Sequence, residues 1–123
     1  MSRSTGRVSI TFMNGPLDGK TLIWDSPVDQ DTFILTIGRR DGCDIQLGYD
    51  SQVSRMHARI VYELPGRSFF LEDIGSRNGT YVGADRLTTK VELKPGEHFR
   101  VGRTILRLDS RHGVIEEVND DSL

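Results

Sequence analysis

The stretch SRMHARIVY, residues 54–62, joins a short polar turn to an alternating run of apolar residues. Its alternation predicts a strand over residues 56–63, with Met56, Ala58, Ile60 and Tyr62 on the face that turns into the core. Ser54 and the arginine after it precede this strand. A hydroxyl and a guanidinium side by side suit a phosphate group, because the first donates one hydrogen bond and the second a charged fork.

The same β pattern recurs along the whole chain. Turn-forming residues separate the apolar runs about every eight to twelve residues, and no helical period persists over two turns. Strands are predicted at 7–13, 20–24, 33–37, 44–47, 56–63, 68–74, 80–82, 87–93, 98–102 and 104–108. The sequence therefore predicts an all-β protein, an antiparallel β-sandwich whose loops cluster at its two ends.

The chain length of 123 residues allows one domain with a single core. We expect a flexible N-terminal tail at residues 1–6, the domain at 7–109 and an acidic C-terminal tail at 110–123, in which Val114 and Ile115 leave room for one more short strand. Thr5 in the N-terminal tail suggests a further hypothesis. If a kinase phosphorylated it, the tail would become a ligand for the domain's own site or for that of a neighbour.

Composition excludes several classes of protein. The net charge of −2, with 36% hydrophobic and 28% charged residues, fits a globular domain and points to neither nucleic acid nor an anionic membrane as a partner. A lone cysteine, Cys43, rules out an intrachain disulfide and a cysteine metal cluster, and no metal or other cofactor is expected. The chain shows no membrane-spanning apolar run and no signal peptide, so the expected location is cytoplasmic.

Three predicted loops carry polar motifs. They are Gly38-Arg39, then Ser54-Arg55 with His57, then the run Ser76-Arg77-Asn78-Gly79-Thr80, and all three are expected at one end of the sandwich. In their order and spacing these motifs make the chain resemble the forkhead-associated (FHA) domain, a phosphothreonine-peptide binding module. The resemblance covers residues 7–109 and implies a sandwich of about eleven strands.

The resemblance also implies a role for each matching residue. Arg39 corresponds to the arginine that grips the phosphate, Ser54 to the serine whose hydroxyl bonds it, and Arg55 to a second cationic contact. Asn78 corresponds to the asparagine that bonds the main chain of the peptide. Four further residues correspond to architectural positions: Gly38, which permits the turn that aims the first arginine, His57, which braces the binding loop, and Gly79 and Thr80, which shape the third loop.

One position departs from the family pattern. Arg77 stands where a threonine is frequent, so a hydroxyl donor is lost, whereas a main-chain donor would survive. We predict that the Arg77 side chain adds positive charge at the rim of the phosphate site and favours ligands with acidic residues after the phosphothreonine. The implied partner is a phosphothreonine-containing protein, with a Ser/Thr protein kinase as one candidate.

Several alternatives stay open at the level of sequence. Arg39 could form a salt bridge to Asp41 or Asp44 instead of binding phosphate. The fold could instead serve a phosphate-independent interaction or dimerisation module, although the presence of Arg39, Ser54 and Asn78 argues against this alternative. A catalytic triad of Ser54, His57 and Asp73 has little in its favour, since the sequence shows no nucleophile elbow. A metal site of His57, His98 and His112 has equally little, since their spacing matches no familiar metal site.

Overall fold

The computed structural model of the protein describes residues 4–26, 29–109 and 115–117. Twelve strands lie within these ranges, and the prediction of an all-β fold with about eleven strands is confirmed. The strands are β1 (Ser4–Phe12), β2 (Thr21–Ser26), β3 (Thr32–Gly38), β4 (Ile45–Gln46), β5 (Ala58–Glu63), β6 (Ser68–Asp73), β7 (Thr80–Val82), β8 (Asp85–Arg86), β9 (Val91–Leu93), β10 (His98–Val101), β11 (Thr104–Leu108) and β12 (Ile115–Glu117). A 3-10 turn, Gly15–Leu17, follows β1.

Two sheets form the sandwich. The seven-stranded sheet has the order β12-β1-β11-β10-β7-β8, and β2 pairs with β1 outside this path. The five-stranded sheet has the order β4-β3-β5-β6-β9. One pairing departs from the predicted antiparallel arrangement, because β4 runs parallel to β3 with Ile45 in register with Ile37.

Alternation along the strands builds the core between the sheets. Val8, Ile10 and Phe12 of β1 are buried, and their neighbours in sequence face the other side of the sheet. The five-stranded sheet contributes Tyr62 and Phe69, whose rings stack with centroids 4.6 Å apart. The fold thus follows from the period-two pattern that the sequence shows.

The strand that contains the opening stretch begins later than predicted. β5 starts at Ala58, and both His57 and Ala58 are fully buried, so the alternation breaks between these two residues. The prediction that Met56 turns into the core is therefore wrong. Its side chain is 37% exposed, with its sulfur 3.6 Å from the sulfur of Cys43.

The ends of the domain also differ from expectation. β1 begins at Ser4, where its first three residues pair with β12, so the expectation of a flexible tail over residues 1–6 is wrong for residues 4–6. Thr5 pairs with Glu116 in this ladder instead of lying in a free arm. Residues 1–3, 110–114 and 118–123, which belong to the expected tails, lie outside the described residues. In the described part of the chain, no helix has the length and apolar character that crossing a membrane requires.

Candidate functional site

The three motif-bearing loops meet at one end of the sandwich, as predicted. Backbone hydrogen bonds tie the first loop to the second: the Arg39 N–H donates to the Ser54 carbonyl at 3.0 Å, and the Arg40 N–H donates to the Arg55 carbonyl at 3.2 Å. Together the loops surround an open cavity of about 470 Å³. The residues that line it are Arg39, Ser51, Gln52, Val53, Ser54, Arg55, Arg77 and Asn78.

Arg39 lies on the rim of this cavity with its charge uncompensated. Of the ion pairs among the described residues, none includes Arg39. The carboxylates of Asp41 and Asp44 accept hydrogen bonds from Gln46 and Thr36 instead. The alternative that Arg39 forms a salt bridge to one of them is therefore wrong, and its guanidinium is available to an anion.

The Ser54 hydroxyl is held as a donor. Its oxygen accepts a hydrogen bond of 3.0 Å from the Arg77 N–H, which leaves the hydroxyl proton for a ligand in the cavity. The Arg77 amide is thereby used to join the second and third loops, and the exposed Arg77 side chain lines the same cavity. Nε of Arg39 donates to the Val53 carbonyl at 3.0 Å, which fixes one edge of that guanidinium beside Ser54.

His57 joins the second and third loops from beneath the cavity. It is fully buried, its Nδ1 accepts the Ser54 N–H at 3.0 Å, and its Nε2 lies 2.8 Å from the Gly79 carbonyl. Since a carbonyl can only accept, Nε2 carries the proton and the ring is in its neutral Nε2–H form. His57 thus lies where the resemblance expects a brace, because both ring nitrogens are committed within the protein.

Asp73 organises the third loop. Its carboxylate accepts from the hydroxyl and N–H of Ser76, from the Gly75 N–H at 2.9 Å and from the Thr80 hydroxyl at 2.8 Å. Burial by itself would raise the pKa of the Asp73 carboxyl. The hydrogen bonds from Ser76, Thr80 and Gly75 outweigh burial and hold the pKa below its ordinary value of 3.8.

Gly38 is required by a close approach of backbone. A Cβ atom at this position would lie 2.1 Å from the carbonyl oxygen of Arg55 and 3.0 Å from the sulfur of Cys43. The φ angle of Gly38 is outside the left-handed region, so the reason for glycine is contact and not the turn that the resemblance suggests. Gly79 differs, since its φ of 90° is one that glycine adopts without strain.

Asn78 closes the cavity on the side of the third loop. Its Nδ2 donates to the main-chain carbonyl of Gln52 at 2.8 Å and to the side-chain oxygen of Gln52 at 3.1 Å. Both amide protons are used in this clasp, and Oδ1 is left as an acceptor for a ligand N–H. The three loops therefore hold one another in place, with a hydroxyl donor, three arginines and an amide acceptor around one cavity.

Comparison with protein families agrees with this arrangement. The family model for the FHA domain matches residues 35–102, more than half of the chain. The chain belongs to the FHA domain family. FHA domains are phosphothreonine-dependent interaction modules without catalytic activity.

Individual relatives support the same assignment. The chain is 38% identical over 74 residues to FhaB of Mycolicibacterium smegmatis. The matched stretch covers 60% of this chain and 46% of FhaB. The FHA domain of CT664 from Chlamydia trachomatis superposes with a TM-score of 0.72 at 25% identity, over 85% of this chain and 97% of that one. EmbR of Mycobacterium tuberculosis, solved in complex with a low-affinity phosphopeptide, gives a TM-score of 0.66 at 26% identity, over 89% of this chain and 26% of EmbR. The chain spans about half the length of the curated relatives it matches.

Sequence reasoning missed one supporting residue of this FHA domain, Asp50. Its carboxylate is 4% exposed and accepts from the Gln52 N–H at 3.0 Å, the Arg103 N–H at 2.8 Å and the Thr104 hydroxyl at 2.7 Å. These bonds fix the turn before Ser54 and attach it to the β10–β11 turn. An aspartate that accepts a hydrogen bond from the N–H two residues later is typical of a turn. The bonds that join Asp50 to Arg103 and Thr104 span more than fifty residues, so the local sequence gives no sign of them.

The catalytic-triad alternative finds no support in the geometry of the FHA domain. The Ser54 hydroxyl bonds the Arg77 amide, His57 bonds the backbone of Ser54 and Gly79, and Asp73 bonds the third loop. Of the three histidines considered for a metal site, His112 lies outside the described residues. In the ranges that the structure describes, no cluster of three or more His, Cys, Asp or Glu side chains could hold a metal ion.

Proposed function

We propose that this FHA domain binds phosphothreonine-containing proteins in Ser/Thr kinase signalling, through the cavity between its three loops. The observation that carries the proposal is the combination of three arginines without an acidic partner among the described residues and a serine hydroxyl whose oxygen is already occupied. No acidic side chain in the described ranges forms an ion pair with these arginines. A ligand that supplies the missing anion is therefore favoured.

A phosphate group fits the donors present. It carries about −1.5 to −2 charges at neutral pH and three strong acceptor oxygens. Arg39 supplies the main charge, Ser54 a hydroxyl donor, and Arg55 and Arg77 further positive charge at the rim. Hydrogen bonds to charged groups are worth roughly 1.5–3 kcal/mol each, and the cost of association offsets much of their sum, so we expect micromolar affinity.

The remaining site residues orient the peptide and the loops. Asn78 presents Oδ1 to a main-chain N–H beside the phosphothreonine, while its Nδ2 stays on Gln52. Gly38, His57, Gly79 and Thr80 keep the loops at the distance that lets all donors reach one phosphate. In this proposal the chain binds its partner without transforming it, and no catalytic residue or cofactor is assigned.

The partner is a phosphothreonine-bearing protein, and a Ser/Thr protein kinase that carries such a residue is one candidate. The EmbR complex with a phosphopeptide supports this class of ligand. A cytoplasmic location, where such kinases act, is part of the same proposal.

Titration with one peptide in phosphorylated and unphosphorylated form tests the proposal. We expect binding only of the phosphothreonine form, and a loss of roughly ten- to a hundredfold in affinity for Arg39→Ala, which removes a charged hydrogen-bond donor. Arg67→Ala is the matched control, since Arg67 is an exposed arginine in the β5–β6 turn, outside the cavity. Isothermal titration calorimetry gives both affinities.

Equal affinity for the two peptide forms would instead support a phosphate-independent interaction or dimerisation module on the same fold. Unchanged binding by Arg39→Ala, with the phosphopeptide still preferred, would move the phosphate site elsewhere on the protein.

A further inference from the structure

Beside the phosphate cavity, the outer face of the seven-stranded sheet carries a row of three side chains. Tyr81 of β7 pairs with Arg86 of β8 on one side and with Arg100 of β10 on the other. Cross-strand partners lie on the same face of a sheet, and the next residues along β7 and β10, Val82 and Val101, pack toward the core. Arg86, Tyr81 and Arg100 therefore form a solvent-facing group, here called the arginine row.

The Arg100 guanidinium is held in place before any ligand binds, and the Arg86 side chain lies against Gly79. The guanidinium carbon of Arg100 lies 4.2 Å from the centroid of the Tyr81 ring, and its NH1 donates to the Gly102 carbonyl at 2.9 Å. The Arg86 guanidinium occupies the space that a side chain on Gly79 would need, with Nε 2.6 Å from a Cβ built there. Because Gly79 follows Asn78, this contact places the arginine row directly beside the peptide-binding edge of the cavity.

No ion pair formed within residues 4–26, 29–109 and 115–117 balances the charge of the arginine row. Among the described residues, four ion pairs engage other basic side chains, and neither Arg86 nor Arg100 takes part in one. Both arginines are exposed. Two exposed guanidiniums that lack an ion-pair partner in the described part of the chain are suited to bind a carboxylate or a phosphoryl group.

We infer that the arginine row is a second anion-binding site, which takes a carboxylate or a second phosphoryl group of the same partner protein. The inference rests on the proposed function, since the phosphothreonine in the cavity delivers the second anion. Asn78 and Tyr81 are three residues apart, so their Cα atoms are separated by at most about 10 Å. The second anionic residue of an extended ligand therefore lies within about four residues of the phosphothreonine.

A peptide suits the arginine row better than a nucleic acid does. Binding to a nucleic-acid backbone requires a continuous basic surface, whereas this chain has a net charge of −2 and the exposed Asp85 directly precedes Arg86. One additional anionic side chain, guided by the phosphothreonine, matches the size and charge of the arginine row.

The test compares phosphothreonine peptides that differ in one flanking residue. Alanine, aspartate or phosphoserine is placed at each position from four residues before the phosphothreonine to four after it, and affinities are measured by fluorescence anisotropy. The proteins are the wild type, the double variant Arg86→Gln with Arg100→Gln, and Arg67→Gln as a matched loss of charge outside both sites. Melting temperatures of all variants check that each one is folded.

We expect aspartate or phosphoserine at one or two positions to strengthen wild-type binding about three- to tenfold relative to alanine. The double variant should lose this gain in affinity, whereas Arg67→Gln should keep the gain. The double variant should still bind the alanine peptide with an affinity within twofold of the wild type. Aspartate tests a carboxylate as the second anion and phosphoserine tests a phosphoryl group. A gain in affinity from either residue supports the second anion-binding site.

Other results would overturn the inference. They are a gain that persists in the double variant, an equal loss for alanine and acidic peptides, or displacement of the acidic peptide by a DNA duplex from the wild type but not from the double variant. The proposed function survives all of these, because the wild type still binds phosphothreonine. If the wild type bound no phosphothreonine peptide at all, the proposed function would fail first and the second site would fail with it.

Discussion

Gly38 occupies a position in the first cavity loop where the backbone leaves no room for a side chain. It ends β3 immediately before Arg39, and the backbone of Arg55 passes so close that any side chain would collide with it. The contact is with a carbonyl of the second loop, which cannot swing away as a flexible side chain can. One glycine therefore sets the separation between Arg39, the proposed phosphate-binding arginine, and the loop that carries Ser54.

Gly38→Ala should lower the free energy of unfolding by about 1–3 kcal/mol, the usual cost of forcing extra atoms into a packed site. Phosphopeptide affinity should fall as well, because the displaced Arg55 backbone carries Ser54 with it. Urea denaturation and calorimetry measure the two effects. Gly48→Ala is the control at the same end of the molecule, since a Cβ there makes only ordinary contacts of 3.6 Å or more. Equal stability of the two variants would contradict the steric argument.

Among the elements, the connection from β6 to β7 depends on one carboxylate. Asp73 ends β6 and gathers four hydrogen bonds from the residues that lead into β7, and these bonds hold its pKa below 3.8. A carboxyl whose pKa is lower in the folded than in the unfolded state stabilises the fold fully above the unfolded value. That contribution disappears as the pH falls through the folded value.

Asp73→Asn should therefore destabilise the domain by about 1–3 kcal/mol near neutral pH, because an amide nitrogen cannot accept the hydrogen bonds that the carboxylate oxygen accepts. The difference in unfolding free energy between wild type and variant should shrink below pH 4. Urea denaturation from pH 7 to pH 3 measures it, with Glu92→Gln on the exposed side of β9 as the control. A difference that stays constant over this range would refute the role given to the Asp73 charge.

Most elements could be predicted because period-two alternation is local. Val8, Ile10 and Phe12 predict β1 and the face it buries from spacing alone. The failures have a common cause in contacts distant along the chain. Ser4, for example, enters a strand only because it pairs with Glu117 of β12, more than a hundred residues later.

The residues of the candidate site also divide into those that local motifs predict and those that depend on distant contacts. Arg39, Ser54 and Asn78 could be found because motif order survives in the sequence, and the structure brings all three to one cavity. The outward direction of Met56 could not be predicted, because the alternation breaks where His57 turns inward to bond the Gly79 carbonyl. The role of Asp50 was equally hidden, since two of its three partners, Arg103 and Thr104, lie more than fifty residues away.

The molecule as a whole is weakly acidic, but arginines are concentrated around the loop end. Its net charge is −2, yet Arg39, Arg55 and Arg77 surround one cavity and the arginine row lies beside it. A field concentrated at one end raises the local concentration of anionic ligands despite the overall sign of the charge. In the proposed function, this charge draws phosphorylated segments toward the loop end.

Binding of a phosphothreonine peptide should weaken several-fold when the salt concentration rises from about 0.05 to 0.5 M, because exposed charges are screened over shorter distances. Most of the loss should appear in the association rate, which stopped-flow fluorescence measures directly. Arg103→Gln, a charge change just outside the cavity, should reduce the salt dependence without removing it. Salt-independent association would show that the arginines at the loop end do not guide the ligand.

The hydrogen bonds that join the three loops affect the entropy of recognition. Ser54, His57 and Asn78 already fix the loops to one another in the unliganded protein, so little backbone freedom remains to be lost when a peptide arrives. Most of the ordering cost falls on the ligand, which is extended and flexible before it binds. Partners with a locally stiff backbone, for example with a proline near the phosphothreonine, would then gain affinity without making any additional contact.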